Sequence, residues 1–243
     1  MMLFEERVQK YEYKLNDTDD QIIDYVSTHK KDVITHSIQY LAAQMYTVPN
    51  TVTRLSKKLG YDGFSQLKNS LKEEIDAKQE DVEDSLSFAI HKTMSLVDRD
   101  KLSMVTKMVQ EAHRVLFFAV GDTVPLCENM VKSLKAVGKA SSFSVHRHDV
   151  VLEINQLESN DLFFVISLSG ETTQVLEMAT LAQERGVRII SLTHFDRNSL
   201  QQLADVNLYC YSPRKVLNGH NITDKTPAML VLRALSEHYW ESL

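Results

Sequence analysis

DLFFVISLSGETTQ, residues Asp161–Gln174, reads as a strand, a hydroxyl-lined turn and the start of a helix. The run Leu162–Ile166 is apolar and rich in β-branched and aromatic types, and the helix-compatible segment Gln174–Arg185 follows it. A turn of this kind sets Ser hydroxyls and backbone N–H groups at the positive end of a helix dipole. An anion such as phosphate is favoured there.

Around this stretch, strands and helices alternate. Val115–Val120, Phe143–Val145, Leu162–Ile166, Arg188–Leu192 and Val206–Tyr211 are strand candidates; Lys101–Ala112, Pro125–Val137, Gln174–Arg185, Ser199–Ala204 and Thr226–Trp240 are helix candidates. Such interleaving predicts an α/β domain, a mostly parallel sheet covered by helices on both faces, with ligands at the C-terminal ends of the strands. A second turn, Ala119–Thr123, closes the first of these strands. Gly121 and Gly170 permit close backbone approach, while Thr123, Ser167, Ser169 and Thr172 supply short hydroxyls suited to phosphate. Each turn alone is also ordinary turn and cap chemistry; their pairing at neighbouring strand ends favours an effector site. Neither is a Walker loop or a dinucleotide fingerprint, and no cofactor is assigned.

An enzyme would need an acid and a base within reach of a substrate. Glu171, His194 and His220 are the candidates, with Lys225 as electrophile. A carboxylate in a first helical turn also answers the dipole, and a lone His is more often structural, so no catalytic residue is assigned. His146-Arg-His-Asp149 lacks a cluster to complete a metal site and is read as a loop beside the crevice, with no metal. Met104, Met108, Met130 and Met178 fall at helical apolar positions and read as core filler.

Upstream, from Val8 to about Ala77, apolar residues recur at helical spacing only. Asn16–Asp20 can cap Gln21–Thr28, a break is expected at His29–Asp32, and Ser37 can cap a helix with Ile38, Leu41 and Ala42 inward. The chain turns at Tyr46–Pro49, and a second helix runs from Asn50 until Gly60 closes it. Two short helices around a tight turn make a helix-turn-helix candidate. With Val52, Leu55 and Leu59 inward, Asn50, Thr51, Thr53, Arg54, Lys57 and Lys58 occupy other faces and suit base edges and phosphates. Lys68 and Lys72 add cations on the helix Phe64–Ile75. The same side chains would equally suit a solvated helix face. Residues 1–78 hold 11 Lys and Arg against 12 Asp and Glu, so binding would rest on asymmetry, with Asp17, Asp19, Asp20 and Asp24 on the far side.

The acidic run Gln79–Asp84 marks a change of composition, and a helix from about Asp84 to Val97, with Leu86, Ile90, Met94 and Val97 inward, is expected to bridge two regions. The expected domains are therefore 1–78, an all-α helix-turn-helix domain; 79–100, a linker and bridging helix; and 101–243, an α/β domain. The 243-residue chain has a formal charge of -6, which excludes a protein basic throughout and leaves DNA binding to a local patch. Cys127 and Cys210 stand outside any CxxC pair and fit a reducing compartment. No apolar run approaches the ~20 residues that cross a bilayer. MMLFEERVQK lacks a signal-peptide core, so a cytoplasmic protein without membrane contact is expected.

The order helix-turn-helix, acidic linker, SLSGET-bearing α/β domain resembles the RpiR/MurR family of bacterial transcriptional regulators, whose C-terminal half is a sugar isomerase (SIS) domain. Thr51–Lys68, TVTRLSKKLGYDGFSQLK, looks like the family's recognition helix and the segment after it. The resemblance implies that Thr51, Arg54, Lys57 and Lys58 face double-stranded operator DNA. It also implies that Ser167, Ser169 and Thr172 hold the phosphate of a phosphorylated sugar, with Thr123 assisting. Members usually form homodimers and are not enzymes, so a homodimer or higher homo-oligomer is expected, although related SIS domains isomerise aldose and ketose phosphates; a fused isomerase is the alternative, and a helical interaction module a third. Two half-sites would lie about one DNA turn, ~34 Å, apart. Three departures stand out: Ala119 and Asp122 in the upper turn, Tyr46 where Gly is frequent, and Val48 at the Ser cap, for which Thr47 is the expected substitute. A carboxylate at 122 would repel phosphate unless it bonds a sugar hydroxyl or a backbone N–H.

Overall fold

The computed structural model describes residues 2–76 and 86–243, and the chain divides into two compact units, Met1–Asp81 and Val82–Leu243. The acidic run Gln79–Asp84 lies outside the described residues.

The first unit is helical: α1 (Phe4–Lys10), α2 (Asp17–Thr28), α3 (Lys30–Thr35), α4 (Ile38–Gln44), α5 (Pro49–Lys58) and α6 (Phe64–Asp76). Asn16 caps α2, its side chain accepting from the Asp19 N–H at 3.1 Å, and Ser37 caps α4 through the Tyr40 N–H at 3.2 Å. The break expected at His29–Asp32 shrinks to His29, because α3 begins at once and buries Val33. Phe4, Ile22, Ile23, Val26, Leu41, Leu55, Leu59, Leu67 and Leu71 form the core. Pro49 takes the first position of α5, where its missing N–H costs nothing.

In the second unit, α7 (Leu86–Leu96) and α8 (Arg99–Glu111) precede β1 (Val115–Ala119), α9 (Val124–Lys135), β2 (Ser141–Phe143), α10 (Arg147–Asn155), β3 (Leu162–Ile166), α11 (Thr173–Glu184), β4 (Arg188–His194), α12 (Ser199–Leu203) and β5 (Val206–Cys210). A short hairpin, β6 (Val216–Leu217) and β7 (His220–Asn221), and the long α13 (Thr226–Glu241) complete it. The five main strands are all parallel, in the order β2-β1-β3-β4-β5. All residues of β1 and β3 are buried, as both faces of the sheet are covered. Phe117 stacks on Phe164 on one face and Phe118 on Phe163 on the other, at 5.0 and 6.3 Å between ring centroids. Separate cores form on each side.

Several expectations are corrected. The strand expected at Phe143–Val145 lies upstream, at Ser141–Phe143, and His146–Asp149 opens α10 instead of forming a loop. Leu86–Leu96, assigned to a linker, packs within the second unit against α13 and β5. It buries Thr93 and Leu96, while Leu86 and Met94 are exposed, so its inward face is not the one expected. Met104 is also exposed, unlike Met108, Met130 and Met178. Thr47 does not cap α5: the cap position is Val48, and no side chain accepts there.

Candidate functional site

Strand order reverses between β1 and β3, and a ligand crevice belongs at such a switch point, outside the carboxyl ends of the strands. A cavity of about 560 Å³ lies there, lined by the turns after β1, β3 and β4 and by the segment leading into α13.

The turn after β3 forms its floor. Gly170 has φ +63°, and a Cβ on it would fall 2.1 Å from the Asn198 Oδ1, so only glycine fits. Asn198, buried at the cap of α12, donates to Thr193 Oγ1 at 3.2 Å and to the Asp196 carbonyl at 2.8 Å, while the Leu200 N–H donates to the Gly170 carbonyl at 3.1 Å. This fixes the turn against the next strand-to-helix connection. On the cavity side, the Ser167 and Ser169 hydroxyls lie 3.3 and 3.4 Å from the Thr172 Oγ1. Thr172 is the cap residue of α11, whose first N–H groups have no helical acceptors. Three hydroxyls and a helix N-terminus thus converge in one place.

The turn after β1 is a short 3-10 segment, Gly121–Thr123. Gly121 has φ +67° with open space where a Cβ would lie, so its need is conformational. The Thr123 hydroxyl donates to the Val120 carbonyl at 2.9 Å and can only accept from a ligand. Asp122 Oδ2 meets Lys225 Nζ at 2.7 Å, and the hydrogen bond and charge of Lys225 hold the Asp122 carboxyl below its usual range. Sequence reasoning marked both residues without seeing that they pair across 103 positions.

The enzyme candidates are otherwise engaged. Glu171 accepts from the Ser199 N–H at 2.7 Å and from the Ser199 hydroxyl at 2.9 Å, which ties it to the start of α12. His194 lines the cavity, but its Nδ1 accepts from the Ser212 N–H at 3.0 Å, leaving Nε2 as the protonated nitrogen. Burial lowers its pKa, against the opposing charge of Asp196. His220 sits exposed on β7, outside the cavity lining. Arg197, Ser212, Arg214, Asn221 and Thr223 also line the cavity and were not marked in the sequence; Asn198-Ser199, a helix-cap pattern, was the signal that could have pointed to the α12 connection. His146 and His148 stack at 5.7 Å at the head of α10, and among the described residues no group of three or more His, Cys, Asp or Glu could hold a metal. Cys127 and Cys210 are free and buried, and burial pushes the Cys127 thiol up to about 12.

In the first unit, α4, a turn and α5 form the helix-turn-helix. Val52, Leu55 and Leu59 are buried, as their spacing requires. Asn50, Arg54 and Lys57 are exposed; Thr51 and Thr53 are half-buried, and the Thr53 hydroxyl donates to the Pro49 carbonyl at 3.2 Å. Two of the expected DNA-facing cations are tied into the fold. Lys58 Nζ pairs with the carboxylate of fully buried Asp19, and Lys68 Nζ donates to the His36 carbonyl at 2.9 Å. Asp19 is therefore not on the side remote from α5. Lys72 is exposed.

Residues 108–236 match the SIS domain family, and residues 2–78 match the helix-turn-helix domain of the rpiR family. The HTH-type transcriptional regulator GlvR of Bacillus subtilis is 28% identical over 252 residues, which span 98% of this chain and 95% of that protein. The HTH-type transcriptional regulator RpiR of Escherichia coli is 21% identical over 200 residues, spanning 75% and 68% respectively. Among solved structures, the Vibrio vulnificus NanR protein complexed with ManNAc-6P superposes with a TM-score of 0.60 at 25% identity, covering 94% of this chain and 88% of that one.

Proposed function

This chain belongs to the RpiR family of helix-turn-helix transcriptional regulators with a SIS domain, and on that premise we propose that it binds an operator through α5 and responds to a phosphorylated sugar held at the α11 turn. The observation that carries the reading is the convergence of the Ser167, Ser169 and Thr172 hydroxyls on the N-terminus of α11. Phosphate needs many short donors and a positive dipole end, which the hydroxyls and backbone N–H groups of this turn offer without a cationic side chain. NanR was solved with a sugar phosphate, which supports the same ligand class here. Gly121 lets the opposite turn approach, and Thr123 accepts from a sugar hydroxyl.

DNA is met by Asn50, Thr51, Thr53, Arg54 and Lys57, with Lys68 adding positive potential from its anchored position, while the charge of Lys58 is balanced by Asp19. The protein works as a homodimer in the cytoplasm, its two recognition helices reading two half-sites. Ligand binding serves sensing and not turnover: the matched relatives are named as transcriptional regulators, and the Glu171 carboxylate, the base an isomerase would use, is held by Ser199.

A thermal-shift panel of sugar phosphates that includes N-acetylmannosamine 6-phosphate, followed by gel shifts on the DNA flanking the gene, tests the reading. Ser169→Asp should abolish the ligand's thermal shift while the protein stays folded; a retained shift overturns the site. Arg54→Ala or Lys57→Ala should weaken operator binding by about 1–3 kcal/mol where the residue reads a base. Unchanged affinity and unchanged salt dependence would remove α5 from the interface.

A further inference from the structure

We propose that Asp122 is a selectivity residue, which by occupying Lys225 turns the mouth of the cavity from cationic to dipolar and so favours sugar phosphates over bare phosphate. The proposal rests on the phosphosugar reading and concerns how the same cavity chooses among anions. Both residues line the cavity, Asp122 from the turn after β1 and Lys225 from the cap position of α13. Their ion pair spans 2.7 Å, with the Lys225 side chain 24% exposed and that of Asp122 58% exposed.

Three cationic side chains line this cavity against the carboxylates of Asp122, Glu171 and Asp196, and Arg197 and Arg214 are the exposed cations. Lys225 is the least exposed, so its charge is the least screened by water and the most attractive to any small anion. Alone, it would draw inorganic phosphate as readily as a phosphate ester. The Asp122 carboxylate cancels that attraction and leaves its remaining lone pairs open toward the cavity, where they repel a bare anion and accept from hydroxyls. A sugar phosphate satisfies both ends, its phosphate in the Ser167–Thr172 turn and a hydroxyl on Asp122. Inorganic phosphate carries a P–OH of its own but has no sugar body to bring a donor to Asp122 while its oxygens occupy the Ser167–Thr172 turn. Selectivity then arises by penalising the wrong ligand, since a site that hydrogen-bonds a hydroxyl discriminates against ligands that cannot place one there.

The experiment titrates the full-length chain and its Asp122→Asn and Asp122→Asn/Lys225→Met variants with inorganic phosphate, glucose 6-phosphate and N-acetylmannosamine 6-phosphate, by calorimetry and by thermal shift. Asp122→Asn preserves shape at an exposed position and should leave the melting curve of the unliganded protein in place. It should bind inorganic phosphate roughly threefold tighter or more, the scale of a partly exposed ion pair. The ratio of sugar phosphate to phosphate affinity should fall by at least that factor, and the gain should vanish in the double variant. Unchanged phosphate affinity in Asp122→Asn, or a gain that persists without Lys225, overturns the proposal. A wild-type protein that binds a sugar phosphate while the ratio is unmoved in the variant leaves sensing intact and removes only the selectivity role. If no variant binds either kind of anion, the sensing reading falls with it.

Discussion

Asp19 shows why a lysine on a recognition helix is not automatically free for DNA. Its carboxylate is fully buried and also closes the capping box of α2, so Lys58 is its counter-charge. Lys58→Ala should therefore cost about 1–3 kcal/mol of stability in the first unit, because it strands a buried carboxylate. Arg54→Ala and Lys57→Ala, at exposed positions, should leave the melting temperature unmoved. Thermal denaturation of the three variants decides it: equal stability for all three would mean that Lys58 is as free as its neighbours. Gly170 makes a similar case in the second unit. Gly170→Ala must hold φ +63° and push Asn198 aside, so it should lower the melting temperature and blunt the response to sugar phosphates together. His194 gives a pH signature. Burial lowers its folded pKa below the ordinary 6.5, so the unfolded chain binds the proton first. Stability should fall as pH drops below 6.5 and stop falling once the folded state also takes the proton. In His194→Asn the melting temperature should depend less on pH over that interval; an identical slope would assign the dependence to other groups.

At the scale of elements, the sequence was legible wherever a pattern had one physical cause. Strands β1 and β3 are continuous apolar runs because both faces are buried, and the caps at Asn16 and Ser37 announce α2 and α4. It was illegible where local signals were weak. β2 has only three residues, two of them Ser, and is held by pairing to β1. α10 exposes Leu152 and carries His146 and His148 at its cap and first turn, so no clean apolar stripe marks it. The Asn218-Gly219 pair between β6 and β7 was a hairpin signal that went unread. In the cavity, the Ser and Thr donors could be read from their turn, whereas Asp122–Lys225 and Glu171–Ser199 join distant segments that no spacing rule connects. The turn before α5 carries two costs that a short-range reading could see. Tyr46 sits at φ 51° and is fully exposed, and Val48 stands at a cap position with no side-chain acceptor. Tyr46→Gly should stabilise the unit by about 1 kcal/mol by relieving the left-handed strain. Val48→Ser should add about 0.5–2 kcal/mol by supplying the missing cap. Chemical denaturation of both variants tests this, and a loss of stability in either would show that Tyr46 or Val48 makes a contact outweighing its backbone cost.

For the whole molecule, the question is how the ligand cavity of one unit reaches a function carried by the other. A place to test for such coupling is α7, the first helix among the described residues of the second unit, which packs on β5 and α13. The Tyr211 N–H donates to the buried Thr93 Oγ1 at 2.9 Å, and the edge of Phe88 meets the Tyr211 ring at 5.4 Å. Tyr211 in turn meets the His194 ring at 5.5 Å, and His194 is bonded to Ser212; both of these line the cavity. A ligand that shifts the end of β5 therefore acts on a strand to which α7 is fastened, and contiguous packing of this kind is where coupling is to be sought. Coupling is a free energy read from two affinities, and it is reciprocal. Thr93→Val removes the acceptor of the Tyr211 N–H and keeps the shape of the side chain. It should leave effector affinity in the absence of DNA, and operator affinity in the absence of effector, within about twofold, a few tenths of a kcal/mol. It should reduce the factor by which effector changes operator affinity, measured by fluorescence anisotropy with and without a saturating sugar phosphate. An unchanged factor with both single affinities intact would show that the Thr93–Tyr211 bond carries none of the coupling.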